Sequence, residues 1–310
     1  MNKVTSLFKL VGSNIKYRIN GKRCTFPGKK IVDHQEAVDA FLDIGQNKNF
    51  QCAYIDETAT LILYEGLLVN QHLAKDYSGF LYSAVSYKLG ISVDSLSFKV
   101  LKHICSSYIQ AFNRLGAAFI IPSRKMRYVI KCAKKGILYF WADSCFDIAG
   151  SISPLLKDKK VAVLSDHADL IKVQFVREKS NPSNADKYSY SLLAIDSADS
   201  IHNTDRSLCF ETVDAISMKL LKFSFDTLLI HADIYSLPLL NFISKLKISC
   251  FIMDDSIYRI FNIARFHSDD QSRFVPDSDT LYLEDYDKES NPDFEATVFL
   301  SKEELKNHGK

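Results

Sequence analysis

The second half of the chain alternates short apolar runs with longer amphipathic segments. The apolar runs predict strands and the amphipathic segments predict helices, which is the order of a parallel sheet with crossover connections. Strands that are apolar throughout are typical of a sheet covered by helices on both faces. The predicted strands span residues 161–164, 171–176, 188–195, 227–231 and 248–253, and the predicted helices span 144–156, 212–223, 234–245 and 256–264.

The first half mixes strand and helix signals in a less regular order. The clearest signal is a hairpin, because alternating apolar residues flank the turn pair Asn20-Gly21. Ser123 is the predicted N-cap of a helix whose apolar side includes Met126 and Val129 and whose other side is basic. Further helices are predicted at residues 4–11, 33–45, 67–89 and 94–115, and further strands at 50–55, 60–64, 117–121 and 137–141.

The predicted fold class is α/β, with a mixed α+β N-terminal half followed by a Rossmann-like, mostly parallel sheet with crossover helices. The change of pattern predicts a mixed domain with a basic hairpin and a basic helix over residues 1–142 and a Rossmann-like domain over 143–266. Residues 267–310 form a predicted acidic appendage with strand-like pieces at 280–283 and 297–300. A chain of 310 residues has room for two compact units.

Composition narrows the class of protein. Hydrophobic residues make up 47% of the chain and charged residues 25%, which excludes a fully disordered, collagen-like or coiled-coil protein. The seven cysteines are odd in number and contain no C-x-x-C pair, so we expect reduced, mostly buried thiols. No apolar run approaches the roughly 18 residues of a membrane-spanning helix, and a signal peptide is not evident. These features predict a cytoplasmic protein.

Charge is distributed unevenly although the net charge is only +2. Residues 1–35 carry eight Lys or Arg and one acid, and residues 121–142 carry six and none, whereas residues 267–310 carry twelve acids and five Lys or Arg. The basic segments favour an anionic partner such as a phosphate or a lipid head group, and an ordinary solvated surface is the alternative. The first helix has Lys3 before it, Lys9 within it and Lys16 after it, and it is either a structural element or a contact with an anionic membrane surface at the inner face of the membrane.

Familiar nucleotide and hydrolase motifs are absent from the sequence. There is no G-x-G-x-x-G, no G-x-x-x-x-G-K-[ST], no G-x-S-x-G and no zinc-ligand spacing. A hydride-transfer enzyme, a P-loop NTPase, a zinc protease and an α/β-hydrolase are therefore not expected.

Acids and histidines follow three of the predicted strands in the second half. Parallel strands end at the same edge of a sheet, where open α/β sheets bind their ligands. We expect these residues to form one cluster of general bases and ligand-orienting groups. Capping of the following helices is the alternative role for the aspartates, and a buried structural histidine is the alternative at the second strand end. The residues are Asp166 and His167, then His231 and Asp233, then Asp254 and Asp255.

Two stretches of the second half resemble a known unit. Residues 225–240, followed by 247–255, resemble one strand–His–helix–strand unit of nucleotide-sugar glycosyltransferases with two Rossmann-like halves, of the type that builds bacterial surface polysaccharide or lipopolysaccharide. The resemblance covers about 30 of the 310 residues. It implies that His231 and Asp254 lie near the acceptor, a glycan or glycolipid, and that the donor is a nucleotide sugar.

The first functional hypothesis is accordingly a glycosyltransferase. His231 or Asp254 would take the acceptor proton, with Asp166 as a further catalytic carboxylate. Arg124 and Arg127 would neutralise the departing diphosphate. Lys131, His167, Asp233 and Asp255 complete the predicted substrate-binding set.

A metal site and a non-catalytic role are the remaining hypotheses. The tripeptides Asp277-Ser-Asp279 and Asp285-Tyr-Asp287 suit Mg²⁺ or Mn²⁺ in another glycosyltransferase architecture, and a solvated acidic surface is the alternative. The non-catalytic hypothesis is an α/β interaction protein whose basic patch binds an anionic partner. Nucleic acid is not the expected partner, because the sequence pI is about 8.0 and the C-terminal segment is acidic.

Overall fold

The computed structural model describes residues 30–32, 34–47, 49–134, 136–141, 146–197, 209–264 and 280–283. Its main sheet contains eight strands, in the spatial order β1-β4-β3-β2-β8-β7-β5-β6, and every neighbouring pair is parallel. The predicted α/β fold class with a parallel sheet and crossover helices is confirmed. The strands are β1 Lys30–Val32, β2 Gln51–Ile55, β3 Ala117–Ile120, β4 Leu138–Trp141, β5 Lys160–Ser165, β6 Ser191–Asp196, β7 Thr227–Ile230 and β8 Ser249–Ile252.

Helices cover both faces of this sheet. Consecutive residues of a strand point to opposite faces of the sheet, so Leu228 and Ile230 pack into one hydrophobic core and Leu229 packs into the other. The helices on the first face are α2 Glu57–Asn70, α3 Gly79–Leu89, α4 Phe98–Phe112, α5 Arg124–Cys132, α9 Cys209–Leu220 and α10 Ser236–Ile243. Those on the second face are α1 His34–Gly45, α6 Phe146–Ser151, α7 Ser153–Leu156, α8 Ala168–Ser180 and α11 Ile257–Ile260.

The sheet is continuous across the two halves of the chain. Ala53 of β2 pairs with Ala118 of β3 on one side and with Ile252 of β8 on the other. The predicted domain boundary near residue 143 therefore falls between two halves that share one hydrogen-bonded sheet, and the division into domains stays a prediction.

The predicted strand at 60–64 is wrong, because α2 occupies these residues. Asp56 caps this helix by accepting a hydrogen bond from the backbone N–H of Ala59 at 2.6 Å. Buried side chains lie on most sides of α2, so the apolar run lacks the one-sided pattern of a surface helix. The predicted helix at 67–89 is divided, because α2 ends at Asn70 and α3 starts after its own N-cap, Ser78.

The predicted strand at 171–176 is also wrong, because α8 spans Ala168–Ser180. Its buried stripe includes Gln174 and Glu178 beside apolar residues. The polar side chains in that stripe hide the helical period from a hydrophobic pattern.

The last predicted helix, 256–264, is shorter than expected. It ends at Ile260, and Asn262 adopts a left-handed backbone with φ 58°. The chain then forms β9, Ile263–Ala264, which pairs in parallel with β10, Leu281–Tyr282, in the predicted strand region 280–283.

Several other predictions can be placed. Residues 144–156 contain the two short helices α6 and α7, and α7 has Pro154 in its first turn. Cys52, Cys105 and Cys250 are buried and, like the half-buried Cys132, free of disulfides, as expected. In the parts of the chain that the structure describes, no helix is long and apolar enough to cross a membrane. The predicted helix at 4–11, the predicted hairpin around Asn20-Gly21 and the predictions at 277–279, 285–287 and 297–300 lie outside the described residues.

A buried carboxylate joins α8 to the segment that follows α11. Glu178 accepts hydrogen bonds from the side-chain amides of Gln174 at 3.1 Å, Asn184 at 2.6 Å and Asn262 at 2.8 Å. Asn262 in turn accepts from the hydroxyl of Thr280 at 3.0 Å. Because buried polar groups are costly without partners, this network ties β9 and β10 to the second face of the sheet.

We predict that Glu178→Ala lowers the free energy of unfolding by roughly 3 kcal/mol, because three amide groups lose their shared acceptor in a buried site. Urea unfolding followed by circular dichroism measures the change. The control is Glu211→Ala, an exposed acid in the first turn of α9, for which we expect a change of no more than about 0.5 kcal/mol. Equal effects of the two substitutions would contradict the structural role of the network.

Candidate functional site

A cavity of about 500 Å³ opens at the carboxyl ends of the strands. Side chains reach it from the residues that follow β2, β5, β6, β7 and β8. The volume is within the range of sites for small molecules and cofactors. It is lined by Tyr54, Asp56, Thr58, Ala59, Lys88, Tyr108, Asp166, His167, Ser197, His231, Ala232, Asp233, Ile234, Ser236, Leu237, Ile252, Met253, Asp254, Asp255, Tyr258 and Leu283.

The position of this cavity follows from the strand order. After β2 the chain enters α2 on the first face of the sheet, whereas after the neighbouring strand β8 it enters α11 on the second face. Connections that leave neighbouring strands in opposite directions open a crevice between them, and α/β sheets bind ligands at such crevices. The predicted acids and histidines of the second half line this crevice.

His231 lies between two carboxylates. Its Nε2 is 2.9 Å from Oδ1 of Asp255, and its Nδ1 is 3.6 Å from Oδ1 of Asp166. The imidazole side chain is only 20% exposed, while Asp255 is 44% exposed and faces the cavity. The sequence placed Asp166, His231 and Asp255 after three different predicted strands, and the structure brings these three residues together.

Asp166 is held by a second set of groups. The hydroxyl of Tyr258 donates to Oδ1 of Asp166 at 3.0 Å, and the hydroxyl of Ser165 donates to the same atom at 3.2 Å. The Tyr258 hydroxyl also lies 3.4 Å from Nδ1 of His231. These contacts fix the carboxylate and the imidazole in one orientation, in the way that outer partners orient functional groups.

The pairing changes the protonation of both groups. Burial alone would lower the pKa of His231, but its hydrogen bonds and charge interactions with Asp166 and Asp255 outweigh burial and raise the pKa to about 9. Burial would raise the pKa of Asp166, but the hydrogen bond from His231, the charge interactions with His167 and His231 and the hydrogen bond from Tyr258 hold it well below its usual range. Burial and the Asp166 charge raise the pKa of Tyr258. At neutral pH the cluster thus contains an imidazolium, an ionised Asp166 and a protonated phenol.

Asp254 serves the turn that follows β8. Its Oδ1 accepts hydrogen bonds from the backbone N–H of Ser256 at 3.2 Å and from the Ser256 hydroxyl. These bonds stabilise the turn before α11, whose N-cap residue is Ser256 and which has no side-chain cap, so the capping role weighed as the alternative does not describe Asp254. Asp254 also lines the cavity, so its predicted catalytic role stays a prediction.

Asp233 faces a lysine on the far side of the cavity. Its carboxylate oxygens lie 2.9 and 3.1 Å from Nζ of Lys88 in α3, and its backbone has φ 42°. The short 3₁₀ turn that Asp233 begins has no side-chain cap, so the alternative capping role does not describe this residue. The Lys88–Asp233 pair joins α3 to the loop after β7.

Two polar atoms beside Asp166 have no hydrogen-bond partner in the described part of the chain. Ser197 follows β6, its Oγ is buried, and its backbone N–H donates to the carbonyl of Ser165 at 3.0 Å. The second atom is Nδ1 of His167, the N-cap residue of α8, whose side chain does not cap that helix. A buried hydroxyl at the cavity wall and the N-terminus of α8, whose first turn also holds the Asp169 carboxylate bonded to the Leu170 N–H at 2.7 Å, can both contact a ligand with acceptor oxygens.

Four functional candidates were missed by the sequence analysis: Asp56, Lys88, Ser197 and Tyr258, all of which line the cavity. Asp56 ends a predicted strand, so the same signal that found Asp166 was present for it. Burial has the largest effect on the Asp56 carboxyl group and raises its pKa, and the nearby charge of Lys88 opposes this shift. Lys88 and Tyr258 lie within helices, where nothing in the sequence distinguishes them from surface residues.

The predicted binding residues of α5 are not part of the cavity lining. Arg124, Arg127 and Lys131 lie on the helix that follows β3, and α5 packs against α2. Their assignment to the diphosphate stays a prediction. For a metal ion, no group of three or more His, Cys, Asp or Glu side chains in the described ranges is arranged to hold one.

Comparison with known proteins leaves the family open: the chain shows no significant match to any protein-family model, to any curated protein or to any solved structure.

We predict that the stabilising effect of His231 is lost in alkali. A histidine whose pKa is raised on folding from 6.5 to about 9 stabilises the fold fully below pH 6.5 and progressively less as the pH rises to about 9. The difference in unfolding free energy between the wild type and His231→Gln should therefore fall by roughly 3 kcal/mol between about pH 6 and about pH 9.5. Urea unfolding of both proteins across this range measures the difference.

The contribution of Asp166 to stability changes with pH in the opposite direction. Because the pKa of Asp166 is lowered on folding, its contribution is present above about pH 4 and is lost as the pH falls further.

A difference in unfolding free energy between the wild type and His231→Gln that stays constant from pH 6 to alkali would mean that His231 is not charged in the folded protein at neutral pH.

Proposed function

We propose that the protein is a glycosyltransferase that moves a sugar from a nucleotide-sugar donor to a hydroxyl group of a glycan or glycolipid acceptor. The observation that carries this proposal is the position of His231 between Asp166 and Asp255 at the wall of the 500 Å³ cavity. A paired acid–histidine array facing a cavity is the arrangement expected where a proton is transferred.

The chemistry of the lining supports a sugar as the substrate. Five aspartates, two histidines and three tyrosines contribute to the cavity wall, together with one lysine. Carboxylate oxygens accept hydrogen bonds from hydroxyl groups, and the aromatic rings offer apolar surface for the carbon face of a sugar. Such a wall suits a polyhydroxyl molecule better than an apolar one.

The proposed step transfers one proton and one glycosyl group. The acceptor oxygen attacks the anomeric carbon of the donor, and a new C–O bond forms as the bond to the diphosphate breaks. The electron pair of the broken bond leaves with the diphosphate. The acceptor proton passes to a carboxylate of the protein, because His231 already carries a proton at neutral pH.

We assign this carboxylate to Asp255. It lies 2.9 Å from Nε2 of His231 and faces the cavity, whereas Asp166, which is exposed to a similar extent, is held by hydrogen bonds from Tyr258 and Ser165. His231 then acts as a positioning residue that orients Asp255, and Asp166 holds His231 from its other side. This differs from the sequence hypothesis, in which His231 or Asp254 took the proton.

The diphosphate of the donor fits the end of the cavity beside α8. The N-terminus of this helix has no side-chain cap, and the Ser197 hydroxyl and Nδ1 of His167 lack partners there among the described residues. Helix N-termini and hydroxyl donors are common partners of phosphate oxygens. The neighbouring Asp166 carboxylate is already paired with His231 and Tyr258, which reduces its repulsion of a phosphate.

We predict that Asp255→Asn lowers kcat at least about 100-fold, because an amide cannot take up the proton that the hydroxyl of the acceptor substrate releases. Donor affinity should change little, since the amide keeps the shape of the side chain. Transfer is measured as release of the nucleoside diphosphate from a panel of UDP-, GDP-, ADP- and dTDP-sugars, with CMP release from CMP-sugars, and donor binding is measured by calorimetry.

The matched control is Asp186→Asn, an exposed aspartate outside the cavity, which should retain wild-type turnover. Wild-type turnover by Asp255→Asn would refute the assignment of the base while leaving the transferase proposal in place. Absence of both binding and turnover with every donor would refute the transferase proposal itself.

A further inference from the structure

One outer surface of the molecule combines exposed apolar side chains with lysine and arginine. Phe80 and Tyr87 on α3 are 70% and 84% exposed, and Leu73, in the loop before α3, is 65% exposed. Phe80 and Tyr87 are seven residues apart, so they lie on the same side of the helix. Large apolar side chains grouped in this way on a protein surface mark an interaction site.

The basic helix α5 borders these residues. Its apolar side, with Met126, Val129 and Ile130, is buried in the core, so its cations are directed outward. Nζ of Lys125 lies 5.7 Å from the centre of the Phe80 ring. We call the surface formed by Leu73, Phe80, Tyr87, Arg124, Lys125 and Lys131 the aromatic–basic face.

Contacts between helices hold this face together. Nζ of Lys125 is also 6.0 Å from the ring of Tyr64 in α2, which packs edge-on against Tyr128 of α5 at 5.5 Å. The Tyr128 hydroxyl donates to Oε1 of Gln71 at 2.7 Å. The arrangement of apolar and basic side chains is thus set by the packing of α2 against α5 rather than by one isolated helix.

Acidic residues are scarce beside these cations. Neither α3 nor α5 contains an Asp or Glu. Glu65 of α2 accepts two hydrogen bonds from Ser78, at 2.5 and 2.7 Å, and Asp76 accepts from the backbone N–H of Tyr77 at 2.7 Å. The face therefore has a net positive charge next to its aromatic side chains, which complements an anionic surface.

The same helix that carries the apolar side chains also reaches the cavity. Lys88 follows Tyr87 in α3 and pairs with Asp233 at the cavity wall at 2.9 Å. A large partner bound to the aromatic–basic face would therefore contact α3, the helix whose Lys88 reaches the candidate site.

We propose that the aromatic–basic face binds the surface of an anionic lipid bilayer, with Phe80, Tyr87 and Leu73 entering the interfacial layer and the cations contacting lipid head groups. Aromatic and aliphatic side chains flanked by Lys and Arg are the composition of protein surfaces that lie on membranes. Exposed Leu73 favours a bilayer over nucleic acid, which has no apolar layer for an aliphatic side chain to enter. Binding to a bilayer requires no catalysis, so this proposal does not depend on the proposed function.

Co-sedimentation of the full-length protein with lipid vesicles tests this proposal. We expect binding to vesicles of equal parts phosphatidylglycerol and phosphatidylcholine, weaker binding as salt is raised, and little binding to phosphatidylcholine alone. The double variant Phe80→Ser/Tyr87→Ser should lower the partition coefficient at least about tenfold. Lys125→Gln should lower it about fivefold.

The matched control is Met218→Ser/Val176→Ser, which removes two exposed apolar side chains from α9 and α8. This variant should bind vesicles like the wild type. Thermal unfolding of each variant shows whether it folds, and Lys125→Gln tests the face even if the double variant at α3 does not fold.

Three outcomes would overturn the proposal. The first is no binding to anionic vesicles at low salt. The second is binding that the substitutions in the face leave unchanged, which would place membrane contact elsewhere in the chain. The third is binding of an oligonucleotide, but not of vesicles, that Lys125→Gln weakens, which would assign the face to nucleic acid.

Discussion

The placement of one charged imidazole between two carboxylates is the interaction on which the candidate site depends. His231 contacts Asp255 through Nε2 and Asp166 through Nδ1, and each of the three residues follows a different parallel strand. An imidazolium as little exposed as that of His231 is unfavourable without nearby negative charge, which the two half-exposed carboxylates supply. The charged histidine therefore depends on both aspartates, and the cluster requires β5, β7 and β8 to end at the same level.

The parallel sheet supplies this alignment. Because all eight strands run in one direction, the residues that follow them meet at one edge, and β2 next to β8 opens the crevice there. Apolar cores on both faces hold the strand ends in place, so the polar cluster stands on a rigid support. The second buried polar group, Glu178 with its three amide donors, lies away from the cavity lining and secures the segment after α11.

Most of the sheet and half of the site were predictable from the sequence. The strands β5, β7 and β8 are short, mostly apolar runs that are buried apart from Lys160, and the acids and histidines at their ends are adjacent to them in sequence. The helix α8 was not predictable, because Gln174 and Glu178 interrupt its apolar stripe and its branched residues favour a strand. Tyr258 and Lys88 could not be found either, since they reach the cavity only through the packing of helices against the sheet.

A thermal-shift titration with nucleotide sugars tests most directly whether the cavity at the strand ends binds such a donor. One nucleotide class should raise the Tm of the wild type in a concentration-dependent manner, because a ligand that binds only the folded state stabilises it. The rise should be smaller for Ser197→Ala, which removes the buried hydroxyl at the proposed phosphate end. No shift with UDP-, GDP-, ADP-, dTDP- or CMP-sugars would show that the cavity does not bind a nucleotide-sugar donor.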